Sequence, residues 1–194
     1  MRTAKITRNT NETKIYMELN LDGSGKADIQ TGIGFFDHML NSFARHGLFD
    51  LTVRVEGDLE VDSHHTIEDT GIVLGMAIAK AVGDKKGIVR YGSVVLPMDE
   101  TLMLVSLDLS GRPYFVWNVD LPAETVGGFE TEMAREFFYA VSYSAAMNLH
   151  IRQMDGFNTH HIIEAMFKAF AKALDAATCK DPRISGILST KGSL

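Results

Sequence analysis

NETKIYMELNLDG (Asn11–Gly23) returns later in the chain, without a gap, as DETLMLVSLDLSG (Asp99–Gly111). Glu12 falls on Glu100, Thr13 on Thr101, Leu19 on Leu107, Leu21 on Leu109 and Gly23 on Gly111. Two further stretches repeat in the same order: DLTVR (Asp50–Arg54) as NLHIR (Asn148–Arg152), and HHTIE (His64–Glu68) as HHIIE (His160–Glu164). The offsets are 88, 98 and 96 residues. One such match is within the reach of chance. Three in register argue for an internal duplication, with the join near Lys85–Gly87. The expected halves are residues 1–87 and 88–194, together one compact domain.

Each half reads alike. Lys14–Leu21 and Thr101–Leu109 alternate loosely and are rich in β-branched or large apolar residues, which suits strands. Asp22-Gly23-Ser24-Gly25 and Ser110-Gly111-Arg112-Pro113 are turn chemistry, so a hairpin is expected in each half. Phe36–His46 and Glu132–Ala146 read as helices, each leading into a short strand at Leu51–Val55 or Leu149–Gln153. Thr66–Val82 and Ile162–Ala177 read as long apolar helices. Leu74, Ile78 and Val82 recur every four residues, and Phe167, Phe170 and Leu174 every three or four, so both helices should pack on a sheet. The expectation is an α+β fold of two pseudo-repeated halves. Each is a β-β-β-α-β-α unit whose small sheet is covered on one face by helices.

Bulk properties narrow the partners. With 45% hydrophobic and 23% charged residues the 194-residue chain is ordinary for a globular protein with a real core. The net charge of −6, without a run of Lys or Arg, argues against nucleic acid or an anionic membrane as partner. No apolar run approaches the roughly 20 residues that cross a bilayer, and MRTAKITRNTNETK lacks the apolar core of a signal peptide. The single cysteine, Cys179, suits a reducing, cytoplasmic setting.

Of seven histidines, four lie in the two HHxxE pairs. On a helix, adjacent side chains diverge by about 100°, so His64 and His65 cannot easily serve one ion together. His64 and Glu68, one turn apart, can; so can His160 and Glu164. If the halves pack about a pseudo-twofold axis, the lone histidine of one half completes the pair of the other. Two metal sites of similar make-up follow: His64, Glu68 and His161; His160, Glu164 and His65. Extending the DLTVR/NLHIR match backward puts His38 on Glu136, which gives each site one further candidate ligand. His150 competes with Glu136, but its repeat partner Thr52 is a poor replacement. Imidazole and carboxylate without thiolate favour Mn or Fe over structural Zn.

GIGFFDHML (Gly32–Leu40), DSHHTIEDTGIVLG (Asp62–Gly75), NTHHIIEAMFKAFAKAL (Asn158–Leu174) and the tail STKGSL closely resemble imidazoleglycerol-phosphate dehydratase, along nearly the whole chain. The resemblance implies conversion of D-erythro-imidazole glycerol phosphate to imidazole acetol phosphate in histidine biosynthesis. It implies two manganese ions per active site, in a 24-subunit shell with sites at subunit interfaces. Some family members carry His where this chain has Glu136. The hydrogen removed has no adjacent carbonyl, so its acidity must come from the imidazole ring. Metal at the ring nitrogens favours the imidazolate, which could expel the neighbouring hydroxyl to give a diazafulvene-like intermediate. By the resemblance Glu12 is the acid–base candidate, and its repeat partner Glu100 reads as a remnant of the duplication. Arg90, Arg112 and Lys191, with Ser189 and Thr190, match phosphate-binding positions. His38, Arg45 and His46 match a substrate-contacting stretch. Metal-dependent hydrolysis and a metal-buffering shell are the competing readings.

Overall fold

The computed structural model describes residues 1–194. The first half runs β1 (Thr3–Asn9), β2 (Thr13–Asn20), β3 (Ala27–Gln30), α1 (Gly34–Gly47), β4 (Asp50–Gly57) and α2 (His64–Val82). The second runs β5 (Tyr91–Met98), β6 (Thr101–Asp108), β7 (Tyr114–Asn118), α3 (Met133–Ser144), β10 (Asn148–Asp155) and α4 (Thr159–Thr178). A two-stranded insertion, β8 (Thr125–Val126) and β9 (Phe129–Glu130), precedes α3. The two four-stranded sheets have the same order, β1-β2-β4-β3 and β5-β6-β10-β7. The expected α+β architecture of two repeated β-β-β-α-β-α halves is what the chain adopts.

Strand alternation decides which face is covered. Ile15, Met17 and Leu19 of β2 are buried, as are Met103, Val105 and Leu107 of β6, while the residues between them face outward. That is the period-2 signature of a sheet with one face in the core.

The expected hairpin lies elsewhere than the Asp22–Gly25 turn. Chain leaving β2 through that turn does not pair back onto β2, because β4 occupies that edge, with Thr13–Asn20 in register against Asp50–Gly57. It reaches β3, on the far side of β4 and parallel to it. Asp50 fixes this crossover by accepting from the Ser24 and Lys26 amides at 2.8 and 3.1 Å. Each half does contain a hairpin, at the other end of the same strand: β1–β2 and β5–β6. Ser110–Pro113 likewise leads to β7, beside β10.

The helices pair across the halves, α1 with α4 and α2 with α3. The α1–α4 contact is aromatic: Phe43 stacks on Phe170 with centroids 5.6 Å apart, and α3 joins through Phe137 on Phe167 at 5.1 Å. Each such pair adds about 0.5–1.5 kcal/mol beyond area burial. The α2–α3 contact is instead built on close backbone approach. A Cβ on Gly71 would lie 2.7 Å from the Phe137 carbonyl oxygen, and one on Gly75 would lie 2.6 Å from Ser144 Cβ and 2.7 Å from the Val141 carbonyl. This exchange of partners brings the first helix of one half beside the histidine-bearing helix of the other.

Candidate metal and anion sites

Both long helices begin earlier than their apolar periodicity suggests, at His64 and Thr159 rather than Thr66 and Ile162. Asn158 caps α4, its side chain accepting from the His161 amide at 3.3 Å, and Asp62 accepts from the His64 amide at 2.8 Å. The paired histidines therefore occupy first turns, where (i, i+4) geometry already holds. His64 Nε2 lies 3.5 Å from Glu68 Oε2, and His160 Nε2 lies 3.0 Å from Glu164 Oε2. The adjacent rings diverge, at 74° between His64 and His65 and 82° between His160 and His161.

His38, from α1, brings its Nε2 to 3.4 Å from Glu164 Oε2. Donor atoms of His38, His160 and Glu164 all lie within 4.8 Å of one another. This three-residue group joins the two halves. Glu164 is 8% exposed. Burial pushes its carboxyl up, but hydrogen bonds from Lys168 (Nζ to Oε1, 2.7 Å) and His160 outweigh that and hold it below the usual range. A buried carboxylate kept ionised beside two imidazoles is a donor set suited to a divalent transition metal. His38 and Glu164 open onto a crevice of about 520 Å³ lined also by Gly25, Ala27, Asn41, Arg45, His46 and Lys168. Burial, reinforced by Lys168, lowers the His46 imidazole from its ordinary value.

The remaining expected ligands are placed apart. Within the chain His65 and His161 do not reach the pair of the other half. His65 Nδ1 meets Asp58 at 2.9 Å and His161 Nδ1 meets Glu100 at 2.7 Å. Glu12 stands 3.7 Å from His65 Nε2. Glu136 pairs with Arg135 at 2.8 Å, beside Trp117, Val119 and Leu121. His150 lies between the buried Leu149 and Ile151 on β10, so it faces the side of its sheet opposite the helices.

The anion candidates do converge. Arg90, Arg112, Ser189, Thr190 and Lys191 line one cleft of about 670 Å³ between the start of β5 and the C-terminal tail. Arg90, at a positive φ of 77°, is buried; its Nε and Nη2 donate to Asp108 at 2.7 and 3.0 Å. Its Nη1 donates to the Leu188 carbonyl at 2.7 Å, which pins the tail. Asp108 raises the Arg90 guanidinium further. Tyr91 and Arg183 also line the cleft, and sequence reading missed both. Neither carries a local pattern that separates it from surface residues. Lys168 was missed too, although its (i, i+4) spacing from Glu164 was a usable signal.

The imidazoleglycerol-phosphate dehydratase family model matches residues 31–174. The imidazoleglycerol-phosphate dehydratase of Lachnoclostridium phytofermentans is 67% identical over 193 residues, covering 100% of this chain and 98% of that protein. The Acetivibrio thermocellus enzyme of the same name is 61% identical, covering 100% and 99%. The crystal structure of the Staphylococcus aureus enzyme superposes with a TM-score of 0.84 at 41% identity, over 92% of this chain and 99% of that one. The Pyrococcus furiosus enzyme in complex with (S)-C348 gives 0.84 at 36%, over 97% and 100%.

Proposed function

The chain belongs to the imidazoleglycerol-phosphate dehydratase family, a family of hydro-lyases, and we propose that it converts D-erythro-imidazole glycerol phosphate to imidazole acetol phosphate with two manganese ions per active site. The observation that carries the metal reading is the meeting of His38 with His160 and Glu164, all within 4.8 Å. These three hold one ion. His64 and Glu68 begin the second, with Glu136 as its further ligand. His65 and His161 complete sites in neighbouring copies: within the chain their Nδ1 atoms are held by Asp58 and Glu100, and their Nε2 atoms lie 3.7 Å from Glu12 and Asp99. We place these sites at subunit interfaces of a 24-subunit shell, as the family resemblance implies, with chains built from halves 1–87 and 88–194. When bound, the ions supply the positive charge that acidifies the imidazole ring.

The protein's own groups do the rest. Arg90, Arg112 and Lys191 fix the phosphate, with Ser189, Thr190 and tail amides donating to its oxygens. Of five guanidinium N–H groups on Arg90, three are used within the protein, which leaves two for the anion. Arg45 and His46 line the wall beside His38 and orient the substrate. Glu12, exposed and close to His65, is the carboxylate placed to hold or move a proton. No helix is long and apolar enough to cross a membrane, in keeping with a cytoplasmic biosynthetic enzyme. The test is direct: purified protein, Mn²⁺ and imidazole glycerol phosphate, followed for the acetol product. No product from assembled, metal-loaded protein would sink the proposal.

A further inference from the structure

Glu12 and Glu100 are repeat partners, yet the structure gives them different work. Glu12 leaves its carboxylate 53% exposed. Glu100 is fully engaged. Its Oε1 accepts from the Asn158 and Phe157 amides at 2.9 and 3.3 Å and from Thr101 Oγ1 at 3.0 Å, while its Oε2 meets His161 Nδ1 at 2.7 Å. In the first half that last contact comes from another place: Asp58, on the loop after β4, meets His65 Nδ1 at 2.9 Å. The matching stretch of the second half, Gly156-Phe157-Asn158, carries no carboxylate.

From this we infer that Glu100 is the positioning residue of His161, with Asp58 as its counterpart on His65. The inference rests on the two-metal reading above. A carboxylate on Nδ1 takes the Nδ1–H and so fixes the tautomer with a bare Nε2, the atom that can ligate an ion. It also locks the ring against rotation. Because Asp58 performs this on the first half, Glu12 is released for the substrate. Because nothing else performs it on the second half, Glu100 cannot be released. The repeat glutamate that looked like a remnant of duplication is thus a working part, and its engagement explains why only one of the two glutamates is open to proton transfer.

E100Q makes a sharp test. The Gln oxygen has to stay on the Asn158 and Phe157 amides, which turns its NH₂ toward His161 Nδ1. Donation to Nδ1 selects the opposite tautomer, with Nε2 protonated and closed to metal. Outer carboxylates of this kind are worth roughly 10- to 100-fold in metal affinity. Mn²⁺ titration of the full assembly, read by the EPR signal of free Mn²⁺, should give two tight ions per subunit in the wild type. In E100Q one class should weaken by that factor and the other hold. D58N should weaken the complementary class, and E100D should recover part of the E100Q loss. Wild-type affinity at both sites in E100Q would overturn the inference. So would loss in E100A but not in E100Q, which would reduce Glu100 to a support for the backbone before α4. A wild-type protein that binds no manganese would instead sink the metal reading itself, and the role of Glu100 with it.

Discussion

Arg90→Met removes a buried guanidinium while keeping an unbranched apolar stem, and its consequences separate into two measurable parts. The first is stability. Asp108, 18% exposed, loses both of its Arg90 contacts, at 2.7 and 3.0 Å. Breaking one end of a buried pair costs about 3–5 kcal/mol. Partial solvent access at Asp108 reduces the expected loss to about 2–3 kcal/mol. For a chain of this size that is a fall of roughly 4–12 °C in Tm. The second part is substrate binding. A charge-assisted hydrogen bond to phosphate is worth about 1.5–3 kcal/mol, so KM should rise on the order of 10- to 100-fold. D108N in the same protein removes the stranded charge and should restore most of the Tm. It cannot restore the phosphate contact. Thermal melts and steady-state kinetics on wild type, R90M, D108N and R90M/D108N complete the cycle. If KM recovers together with Tm in the double variant, Arg90 serves only to pin the tail, and the phosphate assignment is wrong.

Three further outcomes are expected. Gly75→Ala gains about 1 kcal/mol of helix propensity. It also drives a methyl to 2.7 Å from the Val141 carbonyl and 2.9 Å from the Ala145 amide, at a cost of about 1–3 kcal/mol, so urea unfolding should show a net loss; a more stable G75A would contradict the close-packing account. His38→Ala should lower bound manganese from two ions to one tightly held ion per subunit by elemental analysis, and retention of both would remove His38 from the site. In metal-free protein the Glu100–His161 contact should give a bell-shaped stability difference between wild type and E100Q. Glu100 is lowered from 4.5 to about 2, chiefly by His161, so its contribution is complete above 4.5 and lost as pH falls toward 2. His161 is raised above 6.5, chiefly by Glu100, so its contribution is full below 6.5 and lost as pH rises through the raised value. The difference should therefore peak between pH 4.5 and 6.5, and chemical denaturation across pH that shows no such maximum would contradict the contact.

Much of this was legible in the residues because it is local. Alternation along β2 and β6, and apolar periodicity along α2 and α4, are set by neighbours in sequence, and so is the one-turn spacing of His64 from Glu68. The expected hairpin at Asp22–Gly25 went astray because turn chemistry says that the chain reverses, not which strand it meets. Here β4 had already taken the free edge of β2. The meeting of His38 with Glu164 was equally out of reach, since it depends on α1 packing against α4 rather than α2. His38 was a candidate on its repeat position; its assignment to the His160–Glu164 pair needed the tertiary exchange. Glu100 was misread for the opposite reason. Repeat logic treated equal positions as equal roles, whereas the carboxylate that serves each lone histidine comes from a different loop in each half.

That unequal use of equal positions is what a doubled fold needs in order to handle a substrate with unlike ends. The proposed substrate, with an imidazole at one end and a phosphate at the other, cannot be met by two identical half-sites. Arg2 and Arg90 stand at corresponding positions, each one residue before an edge strand whose register on its neighbour is the same, Thr3 against Asn20 and Tyr91 against Asp108. Arg2 is taken up by Asp22 and by the Thr178 carbonyl. Arg90 is held by Asp108, where the first half has the neutral Asn20, and by the tail carbonyl of Leu188. Arg112, the second cation of the cleft, corresponds to Ser24 in the first half. The tail therefore closes one of two similar arginine corners into a cleft, the proposed phosphate site, and leaves the other structural. The same divergence separates Glu12 from Glu100. The repeated halves supply two scaffolds for histidine pairs, and the unlike residues at matched positions, Asn20 against Asp108 and Ser24 against Arg112, give the molecule its direction.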